Sequence, residues 1–224
     1  MESRRVTAAE VGAGRSRGAG GVGTALLQLG RLAGLELYGT GSGPQAGVIS
    51  ALGATPIDYT KGSFAARIRE LTGDGVDVVL DGIGGSVAVG SYRALRRGGR
   101  LVMYGHYGTT VGGRKSARRV ALFYLSGALV FAGNLLPDGR RVRAFQVAKL
   151  RDRHPEWFRE DASTLFEFLA EGKIEPIVAG RIPLAEARRA HENLGRGGLT
   201  GKQVLVCDEE AAALSQTGKD GLWL

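Results

Sequence analysis

The sequence predicts an α/β protein built on a doubly wound parallel sheet. Three observations carry the prediction. Short apolar runs alternate with helical segments of about ten residues across the first half of the chain, the pattern of strands joined by right-handed helical crossovers. A glycine turn, Gly18-Ala19-Gly20-Gly21-Val22-Gly23, opens the first helical segment. Glycines close the following helical segments, at Gly53, Gly73 and Gly98–Gly99.

The elements follow in order. Thr24 to Ala33 reads as a helix with Ala25, Leu26, Leu29, Leu32 and Ala33 on one side. Residues 35–40 are a short strand, 45–53 a second helix, and 54–59 an extended run with Pro56 at its edge. Phe64, Ile68 and Leu71 recur at helical spacing in 63–73. Residues 76–85 are a buried-type strand running into glycines, 87–99 a helix, and 100–105 another strand.

The second half is less regular. It predicts a helix over 117–125, an apolar strand over 128–133, and helices over 140–152 and 160–171, the latter carrying Leu165, Phe168 and Leu169. A strand lies within 177–184. Pro183 then suits the first turn of a helix over 183–194, with Leu184, Ala187, His191 and Leu194 on its apolar face. Residues 202–208 form the last strand, and 209–224 read as a mobile tail.

Composition narrows the function classes. The chain has 224 residues, 43% hydrophobic and 23% charged, as a globular protein does. No apolar run approaches the roughly 20 residues that span a bilayer, and no apolar stretch follows the basic N-terminus as a secretory signal requires. The single cysteine, Cys207, forms no internal disulfide and fits a reducing cytoplasm. The net charge is +8, with 24 Arg against 6 Lys. The arginines are scattered or paired, without aromatic interleaving, which argues against a nucleic-acid surface. No Cys/His cluster has zinc spacing, so no metal site is expected within the chain.

The glycine turn carries the chemistry. Gly18 allows the tight bend, Gly20 lets a pyrophosphate approach the backbone, and Gly23 lets the helix pack close to the sheet. The helix opening near Gly21 aims free N–H groups and its positive dipole end at the phosphates. An acid at the end of the next strand would bind the adenosine ribose and repel a 2′-phosphate. The sequence there reads Tyr38-Gly39-Thr40-Gly41-Ser42-Gly43, with no acid before Asp58. That favours NADP (NADPH) over NAD, with Thr40 and Ser42 as hydroxyl donors.

GAGGVGTALLQLGRLAG, LELYGTGSG, LGATPIDY, GVDVVLDGIGG, GGRLVMYG and HENLGRGGLTGKQVLV, in this order, resemble the medium-chain dehydrogenase/reductases. The likeness covers about residues 18–207 and is strongest to the zinc-independent quinone oxidoreductase branch, itself similar to enoyl reductases. It implies a Rossmann-type sheet and NADPH-dependent hydride transfer to a quinone or another conjugated carbonyl compound. By resemblance, Gly20, Gly21 and Val22 line the pyrophosphate, and Thr40, Ser42 and Tyr59 surround the 2′-phosphate. Ile83 lies along the cofactor, Tyr104, Gly105 and His106 end near the nicotinamide, and Lys202 sits near the cofactor. One departure concerns the lysine that many NADPH-using members carry near position 45, where this chain has Gln45. Of the histidines, only His106 is placed near a substrate; His154 reads as a surface residue and His191 as a structural one. In the family the strand equivalent to 128–133 pairs across a two-fold axis, which implies a homodimer.

Residues 12–17, Gly-Ala-Gly-Arg-Ser-Arg, cannot form the buried strand that should launch the glycine turn. Residues 4–11 are the only substitute and lie far upstream. The expectation is therefore a missing or degenerate first strand, in a truncated or misread form of a longer reductase that lacks most of its substrate domain. Residues 1–17 are then a remnant, 18–150 the dinucleotide-binding domain and 151–208 elements returning toward the substrate domain. The other function class is a non-catalytic nucleotide-binding or interaction module derived from such a reductase. A methyltransferase is a distant third, for want of an acid after the second strand.

Overall fold

A computed structural model of the chain describes residues 5–9, 20–105, 117–196 and 199–207. Six parallel strands form the main sheet: β1 (Arg5–Ala9), β2 (Glu36–Gly41), β3 (Thr55–Asp58), β4 (Val76–Asp81), β5 (Leu95–Met103) and β6 (Arg141–Ala144). Their spatial order is β3-β2-β1-β4-β5-β6. The chain thus reverses direction of travel across the sheet between β1 and β4, the place where doubly wound sheets bind ligands.

The first strand is present, which corrects the expectation of a gap. Val6 pairs with Leu37 on one side and Val78 on the other. Arg5 explains why RVTAA is a workable central strand. Its guanidinium stays at the strand's outer end, in ion pairs with Glu36 and Asp74, and donates to the Thr72 carbonyl. Its backbone N–H donates to Asp77 Oδ2. Only small or apolar residues follow inside the sheet. The ten residues between Ala9 and Gly20, which include the Arg15–Arg17 pair and Gly18, lie outside the described residues.

Helices cover both faces. On one, α1 (Gly21–Leu32) and α2 (Ala46–Ala51) pack Leu27 and Ile49 against Val6 and Leu37. On the other, α3 (Phe64–Thr72) and α4 (Ser86–Ala94) bury Phe64, Ile68 and Ala88 against Ile57, Val79 and Leu101. Each fully buried aliphatic side chain here is worth about 1.5–3 kcal/mol. Gly39 and Gly41 let α2 lie close to β2, because a Cβ at either would run into Ile49 at 2.6 and 2.8 Å.

Several predicted elements change in the second half. The helix expected over 87–99 ends at Ala94, and Leu95–Gly99 already belong to β5, where Leu95 is fully buried opposite Val76. The strand expected over 128–133 is the end of one long helix, α5 (Ala117–Ala132). A six-residue apolar run does not by itself distinguish strand from helix, and here Val130 packs against the core of α4. The sixth strand is instead β6, in a segment that reads as helix. Alternation of Arg141 and Arg143 outward with Val142 inward makes it a strand. The proposed pairing of two copies through 128–133 therefore loses its strand. On β6 itself, the Asn134 side chain occupies both the N–H of Val142 (2.7 Å) and its carbonyl (3.3 Å).

The chain continues through α6 (Val147–Arg153) and α7 (Pro155–Ala170) to β7 (Val178–Pro183), α8 (Ala187–Arg196) and β8 (Lys202–Val206). β7 and β8 form a separate two-stranded parallel sheet. The buried face of α8 is Ala190, not the predicted stripe: Leu184, His191 and Leu194 are exposed. Residues 208–224 lie outside the described residues.

Candidate functional site

α1 begins at Gly21 with Gly20 as its N-cap, and no side chain caps it. Its first turn carries no acid. The first N–H groups therefore point outward with the positive end of the helix dipole, an arrangement suited to an anion. Thr24 closes the turn behind them, its backbone N–H and hydroxyl both donating to the Gly20 carbonyl at 2.9 and 3.1 Å.

The C-terminal sheet delivers a cation to this end. Gly20 and Gly201 form a parallel bridge, and the Lys202 N–H donates to the Ile177 carbonyl at 2.8 Å. Gly201 is at φ +83°, and a Cβ there would overlap the Ile177 carbonyl group. Only glycine allows that close turn. As a result the Lys202 stem lies over Gly21. A Cβ at Gly21 would fall within 2.7 Å of Lys202 Cδ and 2.8 Å of Cγ.

The opposite wall comes from the carboxyl ends of β4 and β5. Asp81 ends β4 fully buried, and holds the following loop from beneath. Its Oδ1 accepts from the backbone N–H groups of Ile83 (2.8 Å) and Gly84 (2.9 Å), and its Oδ2 from the Ser91 hydroxyl (3.0 Å). Burial raises its pKa above the usual carboxylate range, while those three donors pull it down. Tyr104, whose N–H donates to the Asp81 carbonyl, lays its ring against Gly82, where a Cβ would sit 2.9 Å from it.

These walls enclose a cleft of about 210 Å³ lined by Gly20, Gly21, Val22, Ile83, Tyr104, Gly105, Leu194, Leu199, Gly201 and Lys202. Seven of the thirteen residues expected from sequence meet there. Gly23 lies buried in α1 behind it. Gly18 and His106 lie outside the described residues. Leu194, Leu199 and Gly201 were not foreseen as lining; the TGK run carried a signal for Gly201 alone.

The residues expected around a 2′-phosphate are placed differently. Thr40 is sealed in the core with no exposed surface, and its Oγ1 has no hydrogen-bond partner, so it does not reach the loop where a ligand would lie. Gln45 is also buried. Its Oε1 accepts from the backbone N–H of Ser42 (3.0 Å) and the Ser42 hydroxyl (3.2 Å), tightening the turn after β2. Tyr59 is half-buried against the core. Asp58, distant in sequence, is adjacent in space: it pairs with Gly41 across β2 and β3.

Of the histidines, His154 stacks on Trp157 with ring centroids 4.0 Å apart, and His191 is exposed rather than structural.

Residues 52–205 match the family of zinc-binding dehydrogenases. The chain belongs to this family. The synaptic vesicle membrane protein VAT-1 homolog of Danio rerio is 29% identical over 192 residues, covering 85% of this chain and 40% of that protein. Among solved structures, the quinone oxidoreductase of Pseudomonas syringae superposes with a TM-score of 0.68 at 25% identity, over 92% of this chain and 57% of that one. The mycobacterial Rv1454c complexed with NADPH superposes with a TM-score of 0.66 at 27% identity, over 92% and 57%. This chain thus spans less than half the length of the VAT-1 relatives it matches. These likenesses establish a Rossmann-type, medium-chain dehydrogenase/reductase fold and an oxidoreductase lineage. Among the described residues, no three of His, Cys, Asp and Glu gather where a metal ion could be held, so they do not fit the zinc in the family's description. No described helix is long and apolar enough to cross a membrane.

Proposed function

We propose that the chain is the nucleotide-binding part of an NADPH-dependent reductase acting on a conjugated carbonyl compound, a quinone or an enone, in the cytoplasm. The observation that carries this reading is the convergence of the uncapped α1 terminus, Lys202, Ile83 and Tyr104 on one cleft. The cleft suits a dinucleotide diphosphate: no side chain caps the first turn of α1, and glycine at 21 lets the Lys202 side chain lie against that turn. In this reading those N–H groups and the Lys202 ammonium hold the diphosphate. Ile83, kept in place by Asp81, and Tyr104 form the walls that orient the nicotinamide ring. The reduced nicotinamide, when bound, supplies the hydride. Among solved neighbours, one quinone oxidoreductase and one NADPH complex support the choice of donor and acceptor class.

NADPH fluorescence on titration into the purified chain tests the first half of the reading, and loss of NADPH absorbance with a simple quinone or enone tests the second. Binding without turnover would instead favour a non-catalytic nucleotide-binding module. That second reading has one observation on its side. Tyr104 and Lys202 are the only polar side chains among the described residues lining the cleft.

A further inference from the structure

We propose that Asp58 narrows the preference for NADPH over NADH by repelling the 2′-phosphate; the inference rests on the NADPH-dependent dinucleotide reading of the cleft. In a doubly wound sheet the adenosine ribose lies at the carboxyl end of β2, where an acid on that strand would bind the ribose hydroxyls and repel a 2′-phosphate. β2 of this chain ends Gly41-Ser42-Gly43 and carries no acid.

The neighbouring strand supplies one. Asp58 is the last residue of β3 and the register partner of Gly41. Its Oδ2 lies 3.6 Å from the point where a side chain at Gly43 would begin. Its Oδ1 is held by the Thr60 backbone N–H (2.9 Å) and hydroxyl (2.6 Å), which fixes the carboxylate's orientation and leaves Oδ2 facing the loop. The Thr60 bonds also keep the group ionised, with its pKa below the ordinary value.

Among the described residues, the groups that could offset this charge are few. Gln45 is folded inward as the acceptor for Ser42, so the loop after β2 brings no cation of its own. Thr40, the other candidate donor, is sealed in the core. Lys61, exposed three residues after Asp58, acts in the opposite direction and lowers the net repulsion without removing it. A dianionic 2′-phosphate placed at Gly41–Gly43 therefore meets a fixed carboxylate, whereas the free 2′-hydroxyl of NADH meets a hydrogen-bond acceptor.

The test is to titrate NADPH and NADH separately into the whole chain and into its Asp58→Asn and Asp58→Ser variants. Both replacements retain an oxygen that can accept from Thr60, and circular dichroism checks that each folds. The expected result is NADPH binding tightened about three- to tenfold in both variants, with NADH unchanged or weaker, and a wild-type ratio that shifts toward NADPH as salt screens the repulsion. An unchanged NADPH-to-NADH ratio in both folded variants overturns the role of Asp58 while leaving the cleft's function standing. Folded wild-type chain that binds neither nucleotide overturns the dinucleotide reading, and the inference with it.

Discussion

The stem of Lys202 lies directly over the Cα of Gly21, so that a residue near the C-terminal end of the described chain covers the first turn of its first helix. Lys202 takes part in none of the ion pairs among the described residues, and it stands at the positive end of a helix dipole. A cation in that place is unfavourable alone and favourable beside an anion.

Gly21→Ala is predicted to separate binding from stability. The added methyl pushes the Lys202 side chain aside from Cγ outward, a cost that alanine's better helix propensity, about 0.5–1 kcal/mol, offsets. Thermal stability should hold or rise slightly while affinity for NADPH falls about tenfold through the displaced ammonium. Calorimetric melting and fluorescence titration on the same samples check both signs.

Lys202→Gln removes the charge and keeps the length. Losing a charge-assisted contact to a phosphate should weaken NADPH by about 1.5–3 kcal/mol, roughly a ten- to hundredfold rise in Kd. Without nucleotide, relief at the helix terminus should make the variant as stable as the parent or slightly more so. A Kd unchanged across a salt series would remove Lys202 from the binding site.

Asp81 makes stability depend on pH with a defined sign. Its folded pKa lies above the ordinary value of 3.8 because burial disfavours the charge. Between the two values the folded chain holds more protons than the unfolded one, so this contribution is full below the ordinary value and is lost as pH rises through the raised one. Asp81→Asn keeps the oxygen that accepts from Ile83 and Gly84 and cannot ionise. Urea melts over a pH series should show the variant gaining on the parent as pH rises above the ordinary value of 3.8. Asp81→Leu should be destabilised at every pH, by about 1–3 kcal/mol for each orphaned donor.

Gln28 ties α1 to the segment that leads into β7. Buried in α1, its Nε2 donates to the Glu175 carbonyl at 2.8 Å, and its Oε1 accepts the Glu175 N–H at 2.6 Å. Gln28→Ala should cost about 2–4 kcal/mol through two unsatisfied backbone groups. Hydrogen exchange at the Glu175 amide should accelerate more than exchange in the β4 and β5 core, since the bond lost is local.

Periodicity and punctuation in the sequence were enough to place β2 to β4 and α1 to α3, because those segments are amphipathic or uniformly apolar and end at glycines. They were not enough for β1, since Val6 to Ala9 has too little apolar bulk to announce a central strand. Its place depends on Glu36 and Asp74 neutralising Arg5 at the strand's end. Nor did they separate α5 from a strand, because a short apolar run suits either until Val130 has a neighbour to pack against.

The same division runs through the site. The family resemblance legible in the sequence already grouped Ile83, Tyr104 and Lys202 with the glycines that open α1, and the structure brings these residues to one cleft. Only the tertiary structure decided which hydroxyls are reachable and which acid stands beside Gly41 at the end of β2. Thr40 and Asp58 exchanged their expected importance for one physical reason. Strand pairing puts Asp58 next to Gly41 across the sheet, seventeen residues away along the chain, while the alternation of side chains along β2 turns Thr40 into the core.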